Sequence, residues 1–183
     1  MSLDRMNHRF PHAPRLPAIA LVLALAGCAT TTPDAPTVPP LTSATPAQMV
    51  EHVRAAAGDG DGELDVQPLR DSQVEDLRQR AERLQQQGHH ADAAAALDQS
   101  ISLVADEPAL LQERAEAALF LGEYAQAGEL AERALALGSG VGPLCRRHQA
   151  TREQVSLVQG DAAGAAEAKA AIEACRVARP PRW

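Results

Sequence analysis

From Pro46 to Val177, apolar residues recur three and four positions apart in short blocks separated by glycine and proline. That spacing puts them on one face of successive helices. Thr45-Pro46-Ala47-Gln48 reads as a helix start, with threonine as cap, proline in the first turn and glutamine closing a capping box. This helix runs to about Ala57 and carries Met49, Val50 and Val53 on one side. Gly58 to Glu63 breaks it. Ser72 with Glu75 forms a second capping box, and Leu77, Ala81 and Leu84 follow at helical spacing until Gly88. The pattern predicts another helix over about 91–104 with Ala93, Ala94, Leu97 and Ile101 inside. Pro108 opens the next, carrying Leu111, Ala115 and Ala118 up to Gly122. A further helix over about 125–137 holds Ala127, Ala131, Ala134 and Leu135, and two more are expected over 143–159 and 162–177. No segment reads as a strand, so the expected class is all-α.

The blocks repeat. Gly88 and Gly122 are 34 residues apart, as are Leu77 and Leu111, Ala81 and Ala115, and Ala93 and Ala127. One helix pair per 34 residues resembles the tetratricopeptide repeat (TPR). Leu111, Ala115, Gly122, Tyr124, Ala127, Ala131 and Ala134 match that family's small and large positions, whereas His90 and Ser100 depart from it. The resemblance spans about residues 74–177 and implies a short TPR-like α-solenoid of antiparallel helix pairs. The third unit is degenerate. Gly160 lies 38 residues past Gly122, Ala165 and Ile172 keep register, and Gln149, Glu153 and Ser156 occupy positions that want small apolar side chains. A terminal pair with one face in water tolerates this, so the unit reads as a capping hairpin.

Ahead of the helices, an apolar segment from Leu16 to Ala26 follows Arg5, Arg9 and Arg15. It is too short to cross a hydrocarbon core of about 30 Å and has the length of a signal-peptide core. Leu25-Ala26-Gly27-Cys28 resembles a bacterial lipobox. The resemblance implies cleavage before Cys28, acylation of its thiol and amine (palmitate being one such acyl group), and firm anchoring by two or three chains. An ordinary secretory signal with a chance cysteine is the alternative. By the same resemblance, alanine rather than aspartate at position 29 favours the outer membrane, periplasmic face. The expected organisation is a signal peptide over 1–27, a lipidated Cys28 with a Thr/Pro-rich disordered tether over 28–44, a short helix and acidic linker over 45–71, the repeat domain over 72–178, and a tail over 179–183.

Charge narrows the partners. The 183-residue chain has a formal net charge of −7. Three arginines and one aspartate lie in the signal, so the remainder is near −9. Nucleic acid needs clustered positive charge, which is missing. The chain's aromatics are Phe10, Phe120, Tyr124 and Trp183, and a core of alanine and leucine suits close-packed helices better than sheets. Cys145 and Cys175 remain as a pair in an oxidising compartment. Each lies fifteen residues from Gly160, so a hairpin turning there brings both to its open end, where a disulfide is expected. Two separately buried thiols are the alternative.

Candidate chemistry is sparse. Asp59, Asp61 and Glu63 alternate like the start of a calcium loop, but Leu64 and Arg70 stand where that loop needs Gly and Glu. An acidic linker is the better reading. His89-His90 reads as an exposed turn, because adjacent residues do not share a helix face and nothing nearby completes a metal site. No phosphate loop, nucleophile elbow or zinc-protease motif is present, so no catalytic centre, metal, cofactor or small-molecule substrate is expected.

The TPR resemblance implies a concave face formed by the first helix of each pair, which holds a peptide or a partner helix. Mapped onto this chain, the face comprises Glu75, Arg78, Glu82, Gln85 and Gln86 in the first unit, and Gln112, Glu116, Leu119 and Phe120 in the second. Leu119 and Phe120 are the natural anchors unless the helix before Ser72 covers them. Trp183 sits in a short Arg/Pro-rich tail. The expected function is a lipid-anchored periplasmic scaffold or adaptor, not an enzyme, that binds another cell-envelope protein through its concave face. The alternatives are an accessory subunit positioning an envelope enzyme, or a passive structural envelope lipoprotein. Similar lipoproteins assist type IV pilus secretins or adjust peptidoglycan synthases and hydrolases. Those have longer arrays or extra domains, so the resemblance names no partner.

Overall fold

Three glycines at the ends of helices set the geometry of the array. Gly88, Gly122 and Gly160 have φ of +78°, +73° and +75°, a left-handed conformation in which a side chain is strained. Each ends the first helix of a pair and reverses the chain. The computed structural model describes residues 38–58 and 71–176; the signal, Cys28, the acidic run from Asp59 and the tail with Trp183 lie outside them.

Among the described residues there are seven helices and no strand: α1 Pro46–Ala56, α2 Ser72–Gln86, α3 His90–Leu103, α4 Pro108–Leu121, α5 Tyr124–Leu137, α6 Gly142–Val158 and α7 Ala162–Ala174. Helices α2–α3, α4–α5 and α6–α7 form packed pairs, and α3–α4 and α5–α6 join successive pairs. The Thr45–Gln48 capping box is present in both directions. The cap of α2 is Asp71 rather than Ser72, because the Asp71 carboxylate accepts from the Gln73 amide and Ser72 is already helical.

Two apolar clusters hold the array together. Val74, Ala81, Ala93, Ala94, Ala96, Leu97, Leu110 and Ala117 join α2 to α3 and α4. Met49, Val50, Val53, Ala118, Leu119, Ala127, Ala150 and Val155 join α1 to α4, α5 and α6. Ser100, out of pattern in the sequence, is fully buried and donates to the Ala96 carbonyl.

Helix α1 changes the picture most. It packs on α4 and α6, and its contacts with α6 run in opposite chain order. Leu41 N donates to Leu157 O at 2.7 Å, His52 pairs with Glu153 at 3.0 Å, and Arg146 donates to the carbonyls of Ala56 and Ala57. The α6 face expected to meet water therefore meets α1. Arg146 caps that helix and Glu153 clamps it, which explains the departure of Glu153 from a small-apolar pattern; Gln149 instead bonds Arg152, and Ser156 lies near Gly164 of α7. At 11 residues α1 is marginal as an isolated helix, so docking of Met49, Val50 and Val53 is what stabilises it.

The N-terminal approach is also seated. A Cβ on Gly160 would lie 2.5 Å from Val38 Cγ1 and 2.8 Å from the Pro39 carbonyl oxygen. The chain thus meets the α6–α7 turn by Val38, several residues before the expected end of the tether at Ala44. At the opposite end of that hairpin, Cys145 and Cys175 are bridged with Cα atoms 5.8 Å apart, and Gly142 N donates to Cys175 O at 2.7 Å.

Candidate functional site

The first helices of the first two pairs, together with α1 and α6, enclose a cavity of about 310 Å³. Its apolar floor is the half-buried Phe120, backed by the buried Ala81 and Leu97; Arg54, Arg78, Arg147, Glu82, Gln85 and Gln86 stand around it. The Phe120 ring is fixed by His90, which stacks on it with centroids 4.2 Å apart and planes 5° apart. His90, at a position where the TPR pattern has an aromatic, thus supplies a flat ring of its own. His89 instead faces solvent and lies 3.8 Å from Asp92.

Ion pairs organise the walls. Arg78 Nε donates to both oxygens of Glu113 at 2.7 and 2.9 Å. Burial holds the Glu113 carboxyl above the ordinary carboxylate range, with Arg78 opposing that shift. Glu116, 1% exposed, accepts Arg54 Nε at 2.9 Å on one oxygen and Arg147 Nε at 3.0 Å on the other. Arg54 also donates to Gln85 Oε1 at 2.9 Å, tying α1 to the end of α2.

Behind this wall runs a buried polar chain. Gln112 Nε2 donates to Glu116 Oε1 at 3.1 Å and to Thr151 Oγ1 at 2.9 Å, and Thr151 donates to the Arg147 carbonyl. Because Glu116 only accepts, the Gln112 amide is oriented, and its oxygen must receive the Nδ1–H of His148 at 2.7 Å. His148 Nε2 is then a buried acceptor with no hydrogen-bond partner. Burial, followed by the nearby Arg147 charge, pushes the imidazole pKa down to about 4, against a smaller opposing effect of Glu116.

The cavity brings together Arg78, Glu82, Gln85, Gln86, Glu116 and Phe120 of the face expected from the sequence. Glu75 lies outside it and pairs with Arg78 at 3.7 Å. Two expected contact residues are corrected. Leu119 is fully buried in the cluster that α1 completes, and Gln112 is fully buried in the His148–Thr151 chain. For Leu119 the physical reason is α1, which covers that part of the concave face; Gln112 is instead taken up by side chains of α6. Glu116 lines the cavity as a buried organiser of two arginines. Arg54, Glu113 and Arg147 were not anticipated. No spacing announces Arg54, because its place depends on where a separate helix docks, and Arg147 sits in the unit that matches the repeat least.

A second, open cleft of about 450 Å³ lies between α5, α6 and α7, with Glu129, Glu132 and Glu167 around Arg152. It lacks an aromatic floor. Among the described residues, no group of three His, Cys, Asp or Glu could hold a metal ion. No helix among them is long and apolar enough to cross a membrane.

No protein-family profile and no curated protein matches the chain. Solved structures do. The globular C-terminal domain of LpoP from P. aeruginosa aligns with a TM-score of 0.54 and 30% sequence identity. The alignment covers 57% of this chain and 99% of that domain. The chain belongs to the family of that domain. The match spans essentially the whole of the LpoP domain, so more than one helix pair of this chain is shared with it.

Proposed function

We propose that this protein is a lipid-anchored adaptor of the bacterial envelope, held through Cys28 at the periplasmic face of the outer membrane, and that its TPR-like body binds another envelope protein. The observation that carries the reading is the cavity around Phe120. It has an apolar floor, a ring of arginine, glutamate and glutamine, and walls built from the helices that line a binding face in repeat proteins. Its volume of about 310 Å³ is at the small end of ligand pockets and is enough for one or two side chains of a partner. Kinship with the LpoP domain supports an envelope setting. Among the tasks of similar lipoproteins, adjustment of a peptidoglycan synthase is the first to test.

A photo-crosslinking residue at exposed Gln86, in cells making the full chain, tests the reading. One envelope protein should be captured, with capture lost on Phe120→Ala and retained on Glu129→Gln in the opposite cleft. Capture unchanged by Phe120→Ala removes the cavity from the interface. Cys28→Ser should release the protein from membranes; if it still floats with them after a salt wash, Cys28 is not the anchor.

A further inference from the structure

The wall of the cavity carries Arg54, Arg78 and Arg147 against Glu82, Glu113 and Glu116, equal in number but unequally placed. Glu116 is shared by two guanidiniums, Arg54 and Arg147. One carboxylate neutralises one of them, so close to a full positive charge remains on the α1–α6 side of the rim. Arg78 adds nothing to that excess, because Glu113 takes it with both oxygens. The Arg54 side chain is 51% exposed, so the excess charge is offered to solvent. It sits beside the half-buried ring of Phe120, which Ala81 and Leu97 back from below, on a protein whose formal net charge is −7.

An acidic partner is repelled by this protein at long range and attracted only within a Debye length, about 8 Å, of the two arginines. Arginine presents a planar fork that matches a carboxylate, and a partly desolvated pair gains more than an exposed one. On the α2 side of the rim, Glu82 carries the opposite sign and disfavours a second carboxylate there. Charge and shape together specify a segment with one acidic side chain next to one apolar side chain.

We propose that the cavity selects a partner segment bearing an aspartate or glutamate within one helical turn of a large apolar residue. The apolar side chain seats on Phe120, and the carboxylate pairs with Arg54 and Arg147. The inference rests on the reading of this cavity as the docking face and adds the chemistry of what docks.

Random twelve-residue peptides displayed against the detergent-solubilised full chain test it. Enriched peptides should share an acidic residue within four positions of Leu, Met or Phe. A synthetic copy of the strongest should bind about fivefold more weakly to Arg54→Gln, and more than about tenfold more weakly to Arg54→Glu, with recovery when its acidic residue becomes lysine. Arg54→Lys keeps the charge and should keep the acidic preference, which separates charge from the role of Arg54 in seating α1. Peptides blocked by Gln86→Trp but lacking an acidic residue, or indifferent to Arg54→Gln, overturn this inference and leave the docking face standing. Peptides indifferent to Gln86→Trp, or no enrichment, overturn both.

Discussion

The imidazole of His90, at the start of α3, lies parallel to the ring of Phe120, at the end of α4, with centroids 4.2 Å apart. The contact crosses from the first repeat to the second and holds Phe120 half-buried on the cavity floor. Its neighbour Leu119 points the other way and is fully enclosed. Two adjacent apolar residues thus have different tasks, and α1 separates them.

Truncating each residue should show the split. Leu119→Ala removes a fully buried side chain from the cluster shared with Met49, Val50 and Val53, and should cost about 2–5 kcal/mol of stability in urea unfolding. Phe120→Ala should cost less and weaken partner capture more. Equal stability losses would place Phe120 in the core and remove it from the site.

Stability should fall in acid through His148. Its pKa is lowered from 6.5 to about 4 in the fold, so between these values the unfolded chain binds the proton and the native state does not. Stability is therefore full above about pH 6.5 and declines as pH falls toward 4, by about 3 kcal/mol for this group. Unfolding free energies of the wild type and His148→Gln should converge over that window. Parallel curves would mean that His148 does not titrate differently on folding.

The bridge between Cys145 and Cys175 should be detectable by thiol counting on protein taken from the periplasm. No free thiol should be found after denaturation without reductant, and two would exclude the bridge. Cys145→Ser with Cys175→Ser should lower stability by roughly 3–4 kcal/mol in the chain-entropy estimate for a loop of this length. The effect should be largest in α6–α7 amide exchange, because the bridge closes that hairpin.

Gly160→Val should unseat the N-terminal approach. A β-branched residue at φ +75° is strained by about 1–3 kcal/mol, and its Cβ would also meet Val38 and Pro39. Limited proteolysis should then cut between Val38 and Thr45, and the Leu41 amide should lose its protection. Unchanged cleavage would show that the Val38–Leu41 segment does not depend on this contact.

Local rules made most of the helical body legible. Apolar spacing, Pro108 at a helix start and glycines at left-handed ends act over a few residues, so the helices starting at Pro46, Pro108 and Ala162 could be read from the chain. The 34-residue period then paired them, because equal lengths with equal breaks stack alike. The placement of the cysteines relative to Gly160 is local in the same sense: equal distances from a turn meet at the open end of a hairpin.

Half of the candidate site was not legible, and the cause is α1. Met49, Val50 and Val53 announce an apolar face without saying which face receives it, since apolar burial is non-directional and several grooves in an alanine-rich array would accept it. Only the tertiary structure decided that α1 lies on α4 and α6. That one placement buries Leu119, brings Arg54 to Glu116 beside Arg147, and leaves Phe120 open. The sequence by itself determined the helices and their pairing, because those depend on neighbours along the chain. The tertiary structure decided which side chains face a partner, because that depends on one docking event between segments that share no repeat.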